Sequence, residues 1–169
     1  MAIFFDFNGF GISPFLLFYD ITQMHREAIE MGNELYALIR KHESKGDFTH
    51  AVVTEKMLNE AEKNLGVILP KEYRDFLKEF GHGGIGGIEV LGVGKNSALI
   101  FEKETLKYRT YGLFHQLVVI ENCDEWLYCI DALNGKVVMW SKGDVEYSEA
   151  FENFEVYLYD RVNDILENM

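Results

Sequence analysis

Three groups of residues in this sequence could carry chemistry: clustered carboxylates, two cysteines and a run of glycines. Asp124-Glu125 and Asp131 flank an apolar stretch that begins at Trp126. Two carboxylates held apart can act as acid and base, but no surrounding motif marks these as a glycosidase or nuclease pair, and charged loop ends beside a strand explain them equally well. Cys123 and Cys129 are too far apart for the close C-x-x-C type of zinc knuckle, and no second cysteine pair follows. A thiol nucleophile paired with His82 or His115 stays open as an alternative. The five histidines show no H-x-x-x-H or H-E-x-x-H spacing. In His82-Gly83-Gly84-Ile85-Gly86-Gly87 the glycines follow a helical pattern and precede an apolar run, the reverse of a dinucleotide-binding turn. Gly92-Val93-Gly94-Lys95-Asn96-Ser97 resembles the end of a phosphate loop, but Asn96 stands where the metal-binding hydroxyl belongs and Glu89 where the first glycine belongs. The sequence therefore predicts no catalytic residue, no cofactor and no metal ligand.

Charge is more informative. The 169 residues carry 28 Asp+Glu against 16 Lys+Arg, a formal charge of -12. Nucleic acid is a poor partner for such a chain, because phosphate affinity comes from Lys and Arg, and an anionic membrane surface is disfavoured on the same ground. From Gly143 onward there are eight carboxylates and a single Arg161. These residues form either a plain solvated face or a docking surface for a cationic protein, whose encounter would be steered and salt-sensitive. The candidate partner-binding residues are Asp144, Glu146, Glu149 and Glu152, with a second set at Asp124, Glu125 and the Gly83–Gly87 turn. Two cysteines cannot build a disulfide framework and suit a reducing compartment, so a cytoplasmic location is expected.

The elements that must position these groups follow from periodicity. Ala28, Met31, Leu35, Leu38 and Ile39 fall at helical spacing over 25–42. Thr54 is placed to cap a second helix with the stripe Met57, Leu58, Ala61 and Leu65, stopped by Gly66. Pro70 opens a third, in which Tyr73, Phe76, Leu77 and Phe80 share one face and Gly81 ends the helix in the left-handed conformation. Strands are expected at 88–91, 117–120, 126–130 and 136–140, with Asn134-Gly135 as a hairpin turn. Residues 98–101 are a further strand candidate, and 103–111 are ambiguous. Ser148 to Asn168 reads as one long helix with Phe151, Phe154, Leu158, Val162, Ile165 and Leu166 in its stripe. The expected fold class is α+β: a central, mostly antiparallel sheet with helices packed against it and a long C-terminal helix.

Residues 1–23 stand apart, holding six of the 13 phenylalanines and no Lys or Arg. They lack the basic start and long apolar run of a secretory signal and the ~20 apolar residues of a membrane span. They are expected to form an apolar extension, either a strand or arm that packs on the domain or on a second copy, or an added segment foreign to it. A single domain is then expected over 24–169, and the aromatic extension leaves room for a homodimer.

The run Leu65-Gly66-Val67-Ile68-Leu69-Pro70-Lys71-Glu72-Tyr73-Arg74-Asp75-Phe76-Leu77, followed by Gly81, Gly83 and Gly87, resembles the SUKH superfamily. That superfamily groups bacterial immunity proteins with a fungal regulator of cell-wall synthesis. Val118-Val119-Ile120, Tyr128 with Asp131, Gly135, Val137-Val138 and Trp140 continue the resemblance from about Thr54 to the C-terminus. It implies a non-enzymatic, cytoplasmic immunity protein that binds and neutralises a cognate toxin domain, a basic nuclease by the logic of charge. The alternative is a regulatory scaffold that binds an endogenous protein.

Overall fold

The structure, a computed structural model, describes residues 14–168; whatever the sequence suggests for residues 1–13 lies outside them. The chain divides into two compact units whose boundary falls between Leu38 and Ile39, inside helix α1 (Pro14–His42). In the first unit the helix begins at Pro14, so a strand over 14–23 is not formed. Proline suits the first helical position, where its fixed φ matches and no N–H is missed.

The second unit opens with the last turn of α1 and continues through α2 (Glu55–Leu65) and α3 (Lys71–Phe80). Thr54 caps α2 as expected, its hydroxyl accepting from the Met57 N–H at 3.3 Å, and Gly66 closes it at φ 68°. All four stripe residues of α3 are fully buried. Tyr73 and Phe76 meet Phe154 edge-on at 5.1 and 5.4 Å, and the Tyr73 hydroxyl donates to the Leu91 carbonyl at 2.6 Å. Pro70 sits one residue earlier than expected, at the cap itself. Gly81 has φ 77° and ψ -82°, so it makes a three-residue turn, with His82 N–H donating to Phe80 O, in place of a left-handed helical cap. A side chain there would sit 2.3 Å from the Thr49 hydroxyl, which leaves glycine as the residue that fits.

Four antiparallel strands form one meander in the order β1 (Leu117–Asn122), β2 (Leu127–Asp131), β3 (Val137–Trp140), β4 (Ser148–Phe151). This is the expected α+β architecture, closed by helix α5 (Phe154–Asn168). Three local expectations change. Residues 148–151 are the edge strand β4, not the first turn of the C-terminal helix, because they pair with β3 and Asn153 then caps α5, accepting from the Val156 N–H at 2.9 Å. Residues 88–91 make only an isolated bridge, Gly83 to Val90, and a single backbone bond from Leu91 to Ile120. Residues 100–109 form helix α4, not a strand over 98–101; it lies against β1 through Thr105, whose hydroxyl accepts from the Val119 N–H at 2.9 Å.

Asn134-Gly135 does mark the β2–β3 hairpin, with Gly135 at φ 78°, in a loop longer than two residues. Asp131 organises it: its carboxylate accepts from Leu133 N–H at 3.0 Å and from Asn134 at 3.3 Å. That explains why a residue only 3% exposed can be an aspartate.

Candidate partner-binding site

In a meander, alternate connections share one end of the sheet. Leu127 pairs with both Asn122 and Trp140, so the β1–β2 turn (123–126) and the β3–β4 loop (141–147) lie at the same end. The two carboxylate sets that the sequence treated separately are thus partly merged: Asp124 and Glu125 come to the same end as Asp144 and Glu146. Glu149 and Glu152 do not join them. Glu149 sits on β4 and is paired with Lys136 at 2.9 Å. Glu152 follows β4 at the opposite end, and its charge reinforces that of Lys136. The dense acidic run of the sequence is dispersed because the strand reverses direction through it.

Between the turn and the loop is an open recess of about 380 Å³, bounded by Trp126, Met139, Ser141, Asp144, Glu146 and Ser148, with Tyr147 at its side. Its walls are held by groups other than the carboxylates. Trp140 donates its indole N–H to the Asp144 carbonyl at 3.1 Å. The Tyr147 hydroxyl donates to Asp131 and accepts from Gln116, both at 3.1 Å, while Phe114 meets its ring edge-on at 5.0 Å. Across the recess, Trp126 accepts at its carbonyl from Cys123 N–H and lies edge-on to Tyr128. The residue remains 36% exposed. Asp124 holds φ 63°, a conformation aspartate tolerates, with its N–H donating to the Asn122 side chain. None of the ion pairs among the described residues involves Asp124, Glu125, Asp144 or Glu146.

Sequence reasoning passed over Trp126 and Tyr147. The sequence places Trp126 in the strand that in fact begins at Leu127, and it assigns Tyr147, one residue before the expected start of the C-terminal helix, to no element. A tryptophan directly after Asp-Glu was the available signal.

The cysteines behave differently from nucleophiles. Burial and the neighbouring Glu121 push the Cys123 thiol up to about 11, and burial drives Cys129 higher still; a reactive thiol needs the opposite shift. His82 is engaged elsewhere, accepting from Gly92 N–H and facing Glu89, both at 3.1 Å. No three His, Cys, Asp or Glu side chains among the described residues are placed to hold a metal ion. Nor is any described helix long and apolar enough to cross a membrane.

A second concavity, about 510 Å³, lies between the end of α2 and the β2–β3 hairpin and is bordered by Val67, Ile68, His115 and Leu133. Its one carboxylate, Glu62, is already bound by Arg74 at 2.5 Å and by Leu69 N–H at 2.9 Å.

A family model, SUKH_5, described as SMI1-KNR4 cell-wall, matches residues 27–163. The chain belongs to this SUKH family. The match begins within α1, upstream of the Thr54 boundary suggested by the motifs alone, and includes every residue of the recess. Among solved structures, the SUKH chain is similar to a protein from Pseudomonas syringae pv. tomato. The TM-score is 0.62 at 20% identity, over 76% of this chain and 96% of that one. At that identity the likeness is one of fold. The SUKH family includes immunity proteins and is associated with partner toxins in general.

Proposed function

We propose that this SUKH protein is an immunity protein that binds a cognate toxin domain, a basic nuclease, in the cytoplasm of the producing cell and neutralises it without catalysis. One observation carries the reading: the sheet end formed by the 123–126 turn and the 141–147 loop presents four carboxylates, none of them ion-paired within the described residues, and two of these, Asp144 and Glu146, line a recess with an exposed tryptophan. A nuclease must present cations to its substrate's phosphates. Carboxylates at a preformed surface can occupy those cations and exclude the substrate. Such an interface buries about 1,600 Å² in total, with aromatic and Arg anchors carrying most of the affinity.

The test is capture of the partner from source-cell lysate at low and high salt, followed by assay of the captured domain's activity with and without this protein. A basic toxin domain, inhibited on binding and released by salt, is the expected result. Glu125→Lys should weaken that binding about tenfold or more, whereas Glu152→Lys at the other end of the sheet should change it little. Capture of an endogenous, non-toxic partner instead would favour the regulatory scaffold.

A further inference from the structure

We infer that the recess between Trp126 and the 141–147 loop receives an arginine side chain of the protein partner and reads its guanidinium in preference to an ammonium. The inference rests on the proposed partner-binding role of this sheet end and specifies its anchor.

The argument is one of shape and of unused valence. The recess holds about 380 Å³, ample for one long side chain and small for a folded element. Trp126, an exposed residue, borders it, and an indole offers a planar π-face of the kind on which guanidinium groups stack. The β3–β4 loop contributes Asp144 and Glu146 to the lining, together with Ser141 and, from β4, Ser148. Carboxylates accept two parallel N–H bonds from guanidinium, a geometry ammonium lacks. The loop is fixed without them: the Trp140 indole anchors its backbone at Asp144, and the Tyr147 hydroxyl ties it to Asp131 and Gln116. The loop backbone that carries both carboxylates is therefore anchored at Asp144 and Tyr147, and the carboxylates themselves are free of ion pairs among the described residues, so the backbone ordering is already done when a cation arrives. A simple acidic surface would attract Arg and Lys equally; a planar π-face in one recess with bidentate acceptors does not.

The experiment compares two ten-residue peptides of alternating Gly and Arg, or Gly and Lys, binding to the full chain at low salt. Affinity is read by calorimetry, and the two indole N–H resonances by NMR. The Arg peptide should bind about three- to tenfold more tightly and shift the Trp126 resonance further than that of buried Trp140, whose indole N–H is bonded to the Asp144 carbonyl. Trp126→Ala should abolish the preference while leaving Lys-peptide binding in place. Glu146→Gln, which leaves the turn untouched, should reduce the preference as well. Glu125→Lys should weaken both peptides alike. Equal affinities for the two peptides, or a preference that survives Trp126→Ala, would overturn the recess and leave the acidic surface standing. Conversely, an intact Arg preference without any toxin captured from lysate would overturn the immunity reading and leave the recess. Binding of neither peptide at low salt overturns both.

Discussion

Glu121 on strand β1 and Glu146 in the β3–β4 loop of the same meander have opposite fates. Glu121 is 4% exposed. A bulge at Ile120 lets Glu121 pair with Tyr128 and so turns it toward α5. There the Tyr157 hydroxyl donates to it at 2.7 Å, and Arg161 clamps it through Nη2 at 2.7 Å and Nε at 3.1 Å. The Glu121 carboxylate in turn holds the Arg161 guanidinium more firmly protonated than usual. Glu146 stands at the recess with no such partner among the described residues. A carboxylate that is paired and dry contributes to the integrity of one packing arrangement. One that is preformed and unpaired contributes nothing to folding and remains available for an outside cation. The molecule separates stability from recognition along its sheet: the α5-facing side is satisfied, the 123–126 and 141–147 end is not.

That contrast can be broken most forcefully at the clamp. Arg161→Met keeps much of the stem but leaves a buried carboxylate without its cation, with the Tyr157 hydroxyl and the Cys123 thiol beside it, and should cost about 3 kcal/mol in urea unfolding. A loss below about 1 kcal/mol would remove the distinction between the two regions. A subtler probe is Glu155, in the first turn of α5, whose carboxyl is raised by burial and then by the nearby Glu72. A carboxyl raised on folding binds protons more readily folded than unfolded, so stability falls as pH rises from the ordinary value of 4.5 through the folded one. Glu155→Gln should therefore gain melting temperature at pH 7, and the gain should vanish as the pH drops below 4.5; an unchanged difference would contradict the burial argument. The smallest effect belongs to the recess: Asp144→Asn with Glu146→Gln should shift stability by no more than about 0.5 kcal/mol. A larger loss would mean that these carboxylates do hold the loop, contrary to their lack of partners.

How legible each region was in the sequence follows the same division. Helices α2 and α3 could be read because their signals are local: Thr54 and Gly66 satisfy backbone groups a few residues away, and Tyr73, Phe76, Leu77 and Phe80 recur with the helical period. Strands β1, β2 and β3 announced themselves as apolar, β-branched runs. Strand β4 did not. Ser148-Glu149-Ala150-Phe151 has the composition of an exposed edge, and Phe151 happens to fall in helical phase with Phe154 and Leu158. Helix α4 was obscured for a related reason: one of its buried positions is Thr105, which reads as polar until Val119 is beside it. Of the recess only Ser148 lies in the misread β4 stretch; its acidic residues were recognised because charge is read locally, whereas Trp126 and Tyr147 join them only through strand pairing.

What the sequence by itself determined is what short-range physics controls: the α+β class, two helices with their end signals, three of the four strands with the hairpin between β2 and β3, an acidic chain without a phosphate or metal motif, and membership in a family recognisable from the Leu69-Pro70-x-x-Tyr73 region. Tertiary structure alone decided that β4 reverses the chain through the acidic run, which scatters Glu149 and Glu152 and gathers Asp144 and Glu146 with the distant Asp124–Trp126 turn. It alone decided, too, that a one-residue bulge turns Glu121 inward to Arg161. Both outcomes depend on strand pairing between residues far apart in the chain, and no local periodicity encodes which carboxylate will meet a partner and which will be left facing solvent.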